Sequence, residues 1–418
     1  MIMEKQFEKK ESLLPEFSEN PGNMKRQRFV EDDQAGRQRE YPVRPANIEY
    51  FENLMYNRDF SIKKHPRVGY FCNMIPQELI WTLDAEPVRL DCGNSAASLI
   101  GEEIFSGEIC PLAKASFGVF MNPESLANSC DLLILPTSCD AKRKLGEVLN
   151  QFKPVFMYNL PPEQNHSLYA KQTFQETLRM AEWLGKHLKT RLSTGKLRQA
   201  VQWGLKRTGL IRELQELRSK NPRSLSPADF FLIIQTSLFR PVDMKTWLNE
   251  LEKVTNEVKN LEPERKNLRP RLVLTGAPMV WPNFKVLNVF EESGADIIAD
   301  TLCSGAQSCF DPVIADDQSK KGLLRALTNR YVYASICPCF ISQQTRLNRI
   351  LDLYGENKID GIINYSLRLC QLFDMENFAV ERTVKQRKIP FINVRTDYSL
   401  EDTEQLRVRI EAFLETIE

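Results

Sequence analysis

The phosphate-cradling loop GxxxxGK[ST] is missing from this 418-residue chain, and no GxGxxG follows a predicted strand. Binding of ATP or of a dinucleotide through the usual glycine-rich turns is therefore not expected. Histidine is scarce: there are only His65, His166 and His187, and the last two fall in or beside helical surface, where they read as solvated side chains. No HExxH and no CxxC pair occurs, which weighs against an ordinary zinc site. No apolar run approaches the roughly 20 residues of a membrane span, and the N-terminal stretch lacks the apolar segment of a signal peptide. A formal net charge of +1 supplies no excess with which to draw nucleic acid. These absences lead us to expect a cytoplasmic protein with no membrane segment and no nucleic-acid partner. Hydrophobic content of 42% and charged content of 27% are ordinary for a globular protein with ample core.

Against these absences stand ten cysteines. They are spread over a long chain, and in a reducing compartment structural disulfides are not expected, which leaves buried thiols or metal ligands. The organising stretch is Asp131 to Lys144, DLLILPTSCDAKRK. Leu132 to Leu135 form an apolar run bounded by Pro136, as in a strand buried on both faces. A helix follows from Ala141, so Cys139 falls where a strand's carboxyl end meets a helix's amino end. Open α/β sheets place their chemistry there, and the helix dipole favours a thiolate.

A second copy of the pattern runs from Ile359 to Cys370, IDGIINYSLRLC, and then into a helix containing Glu381 to Lys385 and the strand Phe391 to Val394. In the first copy the corresponding strand is Val155 to Tyr158. Upstream, VGYF, PQELIWTL and PVRL read as strand, helix and strand ending at Cys92, and LVLTG, a helix through Phe290 and ADIIAD end at Cys303. The fold class is α/β: two similar parallel-sheet, Rossmann- or flavodoxin-like domains with a helical insertion between them. A charged N-terminal arm is expected over residues 1–55; residues 1 to 45 carry nine basic and nine acidic side chains. The first α/β domain is assigned to 56–162, the helical segment to 163–266 and the second α/β domain to 267–418. Leucine stripes at helical spacing mark the insertion, where Ser226 before Pro227 reads as an N-cap with proline at N1.

Cys72, Cys92, Cys139, Cys303 and Cys370 each follow a predicted strand, Cys110 precedes Pro111, and Cys337 and Cys339 form a CPC after YVYAS, itself read as a strand. Strand ends from both domains converging on one cleft would make a sulfur-rich pocket. Soft thiolates at such density select iron–sulfur clusters, zinc or copper(I). The competing reading, a buried small hydrophobe, is preferred for Cys130.

The stretches GYFCNMIPQELIWTLDAEPVRL, ICPLAKASFG, TSCDAKRK, LTGAPM, CSGAQ and IDGII with Cys370 resemble the 2-hydroxyacyl-CoA dehydratase and benzoyl-CoA reductase superfamily. The resemblance extends from about residue 65 to the end. It implies two α/β domains and a [4Fe–4S] cluster on Cys110, Cys139 and Cys370. The additional cysteines make the chain more similar to the double-cubane branch, which implies a homodimer and an [8Fe–9S] cluster on six cysteines. The second cubane is then assigned to Cys72, Cys303 and Cys339, with Cys337 as the nearest substitute and Cys92 and Cys309 behind it.

By this resemblance the expected function is an iron–sulfur reductase component. It would take low-potential electrons from a separate ATP-hydrolysing [4Fe–4S] activator and reduce a small unsaturated or N–N-bonded substrate. The alternatives are a 2-hydroxyacyl-CoA dehydratase subunit with a single [4Fe–4S] cluster, and a non-catalytic electron carrier. Lys114 and Lys142 are candidates to offset cluster charge or to meet the activator, against the plain reading of solvated helix lysines. Glu78 is a candidate proton relay, against that of a first-turn acid favoured by the helix dipole.

Overall fold

The computed structural model describes residues 44–417 apart from 58–59, 61–62, 106, 165–166, 263–268, 343 and 357. Most of the expected N-terminal arm, His166 and the boundary expected at 266 lie outside the described residues.

Two four-stranded sheets carry the architecture, and every strand pair in both is parallel. The first contains β1 (Arg67–Tyr70), β2 (Glu86–Arg89), β3 (Leu132–Pro136) and β4 (Val155–Tyr158) in the order β2-β1-β3-β4. The second contains β5 (Arg271–Gly276), β6 (Asp296–Asp300), β7 (Gly361–Leu367) and β8 (Phe391–Thr396) in the order β6-β5-β7-β8. The two orders are the same path traced twice, as the repeated sequence pattern implied. β3 and β7 are buried along their whole length, which is why LLIL reads as an unbroken apolar run and GIINYSL does not alternate between apolar and charged positions. In each sheet the chain leaves the first strand to one side and returns on the other, so a switch point lies between β1 and β3 and another between β5 and β7.

The helices in chain order are α1 (Ile48–Tyr56), α2 (Gln77–Thr82), α3 (Ser95–Glu102), α4 (Pro111–Phe120), α5 (Asp140–Leu149), α6 (Ser167–His187) and α7 (Thr194–Lys220). They continue with α8 (Pro227–Phe239), α9 (Met244–Lys259), α10 (Lys285–Glu292), α11 (Lys320–Thr328), α12 (Gln344–Glu356), α13 (Gln371–Gln386) and α14 (Thr403–Glu415). Among the described residues, no helix is long and apolar enough to cross a membrane.

The helical segment is α6 to α9. As the sequence signals, the Ser226 side chain caps α8 by accepting the N–H of Asp229, with Pro227 in the first turn. α8 is apolar nearly all round because it is enclosed: Phe231, Ile234 and Leu238 share one core with Trp247 of α9, Phe51 of α1 and Leu274 and Val280 from the second sheet's side. A second core joins Val68, Ile134 and Phe174 to Leu323, Leu327, Tyr331 and Val332. Residues from the later part of the chain thus cover the first sheet.

One expectation is corrected here. YVYAS is not a strand; Asn329–Tyr333 is a π-helical turn that extends α11. The β-branched and aromatic side chains suggested a strand locally, but Tyr331 and Val332 are held by the core over the first sheet, and tertiary packing overrides the propensity.

Candidate functional site

Every sheet strand in this fold points its carboxyl end toward a turn, and five of those turns carry cysteine, of which those bearing Cys72, Cys139, Cys303 and Cys370 face one cavity. Cys139 is the N-cap of α5 after β3, and Cys370 is the N-cap of α13 after β7. Cys110 is the N-cap of α4, where Pro111 supplies the fixed φ of the first helical position. Three thiols thus stand at three helix amino ends, where unpaired N–H groups favour negative charge. Cys72 follows β1 with φ 64°, and Leu369, just before Cys370, has the same φ. For side-chain-bearing residues this left-handed conformation costs about 1–3 kcal/mol and persists only where surrounding contacts hold it.

These turns enclose a cavity of about 930 Å³, open mouth included, lined by Cys72, Cys110, Cys139, Cys303, Cys337 and Cys370 among others. Both switch points face it: Ser138 and Cys139 from the first sheet, and Gly276 and Cys370 from the second. Among the described residues no three His, Cys, Asp or Glu side chains close on a single metal ion. Thiols spread around a cavity suit a group larger than one ion. Four cations reach the lining, Arg89, Lys142, Arg330 and Arg346, beside one carboxylate, Asp311, which is paired with Arg349 at 3.1 Å. Just behind it Asp91 binds both Arg89 and Lys142, and Glu376 pairs with Arg346 at 2.8 Å, so a positive surplus remains only in part. Thiols, helix amino ends and cations together fit an anionic, thiolate-held polynuclear group.

The sulfurs are not equivalent. Cys370 donates to Cys110, and this bond, with the N–H groups of Leu112 and Ala113, outweighs burial and brings the Cys110 thiol down to about 7. Cys370, as the donor, is correspondingly pushed up. The CPC behaves in the same way: Cys337 is lowered by a hydrogen bond from Cys339, and Cys339 is raised well above the usual thiol range. Both pack against the core over the first sheet; Cys337 lines the cavity and Cys339 is not in its lining, though it feels the charge of Cys72 and Cys139. Burial pushes Cys139 and Cys303 up to about 11, opposed by Lys142 for the first and Arg89 for the second.

Behind Cys72 lies a buried ionic cluster. Asp91 accepts from Arg89 Nε at 2.6 Å, from Lys142 Nζ at 2.9 Å and from the Cys72 backbone N–H at 3.0 Å. Burial alone would raise this carboxyl, but Lys142 and Arg89 hold it well below the usual carboxylate range. Lys142 Nζ also lies 2.7 Å from Cys72 Sγ, and Arg89 donates to the Cys303 carbonyl at 2.8 Å.

The turn carrying Cys303 is organised by Asp300, whose carboxyl accepts the N–H groups of Leu302 and Ala306 at 2.9 and 3.1 Å. Burial raises this carboxyl from 3.8 to about 6. Because the folded value lies above the unfolded one, the stabilising contribution is complete below pH 3.8 and is lost as pH rises through about 6. Ionising Asp300 should cost about 3 kcal/mol relative to the unfolded chain. Urea unfolding should therefore show Asp300→Asn gaining on the wild type across this window; parallel pH profiles for the two proteins would refute the assignment.

Of the expected site residues, Cys72, Cys110, Cys139, Cys303, Cys337 and Cys370 are brought together around the cavity, and Cys339, outside the lining, is close enough to feel Cys72 and Cys139. Cys92, Cys309 and Cys130 are not in the lining, and Cys130 and Cys309 are wholly buried. Glu78 is buried behind the wall: its Oε2 accepts from Tyr331 Oη at 2.8 Å, and the Tyr331 ring, not the carboxylate, reaches the cavity. Lys114 turns away to pair with Glu102 and the Gly107 carbonyl, whereas Lys142 faces inward. Neither lysine is a solvated one. His65 is exposed, and His187 lies at the end of α6 with Nδ1 2.9 Å from the Trp183 carbonyl. The sequence reading missed Arg89, Asp91, Arg330 and Arg346. A signal existed for the first two: in PVRLDC, opposite charges flank a leucine at the end of a buried strand, and such charges must pair.

The chain matches the family described as 2-hydroxyglutaryl-CoA dehydratase, D-component, over residues 72–417. It is 29% identical to the putative dehydratase subunit YjiM of Escherichia coli over 369 residues, covering 86% of this chain and 93% of that protein. It is 20% identical to the (R)-phenyllactyl-CoA dehydratase beta subunit of Clostridium sporogenes, covering 88% and 97% of the two chains. A benzoyl-CoA reductase subunit of Thauera aromatica is 19% identical, with 84% and 90% covered. The whole second sheet, most of the first and every cavity cysteine lie within the matched span, so the chain belongs to the 2-hydroxyglutaryl-CoA dehydratase D-component family, alongside subunits of phenyllactyl-CoA dehydratase and benzoyl-CoA reductase.

Proposed function

We propose that the protein is an iron–sulfur reductase component whose cavity holds a double-cubane [8Fe–9S] cluster. The carrying observation is that six cysteines from both α/β halves line one cationic cavity. Cys110, Cys139 and Cys370, at three helix amino ends, would hold one half of the cluster. Cys72 and Cys303 would hold the other with a thiolate of the CPC; the cavity-facing position and lowered pKa of Cys337 favour it, with Cys339 as its hydrogen-bond donor. The cluster, when bound, would supply low-potential one-electron chemistry. The chain's own residues bind it through sulfur, offset its charge through Arg89, Lys142, Arg330 and Arg346, and limit water through Leu372 and Phe373. The missing nucleotide loop is consistent with a separate ATP-hydrolysing [4Fe–4S] activator as electron source.

A second reading is a dehydratase subunit with one [4Fe–4S] cluster on Cys110, Cys139 and Cys370, favoured by the names of the relatives. Iron and acid-labile sulfide per chain, on anaerobically purified protein, separate the two. About eight irons are expected for the double cluster and about four for the single one. A colourless, iron-free protein would overturn both.

A further inference from the structure

The Lys142–Asp91–Arg89 cluster spans the two halves of the molecule. Lys142 comes from α5 and reaches Cys72 Sγ after β1, at 2.7 Å. Arg89 ends β2 and reaches across to the turn after β6, donating to the Cys303 carbonyl at 2.8 Å and lying 3.6 Å from Cys303 Sγ. Asp91 stands between the two cations and binds both. The aliphatic and ring neighbours complete the enclosure, with Lys142 over Phe71 and Arg89 over Phe239. The side chains of Arg89 and Asp91 are 1% and 0% exposed and that of Lys142 is 10% exposed, so water screens these charges poorly. Two cations and one carboxylate leave a surplus positive charge between the thiols of two different sheets.

A merely structural ion pair has no need of a second cation, nor of sulfur as a partner. Here the carboxylate neutralises one cation and fixes the direction of both, and the remaining charge falls on Cys72 and Cys303. From this geometry we infer that Lys142, Asp91 and Arg89 are positioning residues that set the reduction potential of the part of the cluster held by Cys72 and Cys303. This rests on the reading that the cavity holds an iron–sulfur cluster. Accepting an electron adds negative charge, so a neighbouring fixed cation makes reduction easier and a neighbouring carboxylate makes it harder. Lys142 and Asp91 therefore act with opposite sign although they are bonded to each other.

The test is a dye-mediated redox titration of anaerobically purified full-length protein, followed by electron paramagnetic resonance, with iron counted on every sample. Lys142→Met is expected to shift the reduction equilibrium about tenfold toward the oxidised form, about 59 mV more negative for one electron. Lys142→Arg should restore most of that shift. Asp91→Asn is expected to move the potential the other way, which loss of packing alone would not do. Unchanged potentials in Lys142→Met at full iron content would overturn the inference, and so would shifts of the same sign in Lys142→Met and Asp91→Asn. If Asp91→Asn does not fold, Lys142→Met against Lys142→Arg decides by itself, and iron lost from both lysine variants counts against the inference. A wild type with about four irons overturns the double cluster and this inference with it, since nothing would then be held by Cys72 and Cys303, whereas unchanged potentials at about eight irons overturn the inference alone. A wild type with no iron overturns both.

Discussion

Cys139→Ser is expected to leave the protein folded and to strip it of at least half of its iron. Cys139 is the N-cap of α5 and makes no capping bond through its side chain, whereas serine is among the best N-cap residues, so the substitution costs the fold little and can even stabilise the helix start. Any loss of iron therefore reports on the thiolate. The site is central: the charge of Cys139 is felt by Cys370 on one side and Cys339 on the other, and Cys139 itself feels Cys72 and Cys110. A drop from about eight irons to about four or fewer is the expected result. Cys303→Ser should likewise lose iron, because its thiol lies between Arg89 and the Cys72 side of the cavity. Cys130→Ser should lose none, since that thiol is fully buried away from the cavity with its S–H on the Leu126 carbonyl. Full iron in Cys139→Ser would remove the proposed ligand set. Iron lost with Cys139→Ser but kept with Cys303→Ser would shift the assignment to a single cluster.

The second large effect is on folding. Gly276→Ala is expected to destabilise the protein by about 4 kcal/mol or more, or to abolish soluble expression. Gly276 ends β5 with φ +128°, a conformation that side-chain-bearing residues rarely adopt, and a Cβ there would lie 1.8 Å from the Tyr365 carbonyl oxygen. That carbonyl cannot retreat: it accepts the Ala277 N–H at 2.7 Å, and Gly276 is the ladder partner of Tyr365 on β7. The displaced strand end also lines the cavity, so whatever fraction folds should bind iron poorly. Gly209 in α7 is the control, because nothing lies within 4 Å of its added Cβ. Gly209→Ala should stabilise by up to about 1 kcal/mol, as glycine is a poor helix former. Urea unfolding of both variants checks the pair; a Gly276→Ala protein with wild-type stability would mean that the β5–β7 contact is not as tight as described.

The local grammar of the chain carried much of the architecture. An apolar run, a cysteine and a helix start follow one another within a dozen residues, so the strand ends at Cys139 and Cys370 and the cap at Ser226 could be read directly, and the repetition of the pattern implied the second sheet. Where a neighbour in space outweighed the neighbour in sequence, reading failed. YVYAS became a π turn because Tyr331 and Val332 are claimed by a core built on the first sheet. Glu78 is not itself in the cavity lining, but it accepts a hydrogen bond from Tyr331, which is, a partnership that nothing in the local sequence signals.

What the sequence determined by itself is therefore which residues stand at strand ends and helix starts, because periodicity, capping and proline act within one or two turns of chain. Only the tertiary structure decided which of those ends meet. Cys72 and Cys303 belong to different sheets, and Arg89 reaches Cys303 across 214 residues of chain. The direction in which Cys337, Lys142 and Lys114 face was likewise settled by packing, since a buried charge or thiol turns toward whatever partner the assembled core leaves within reach.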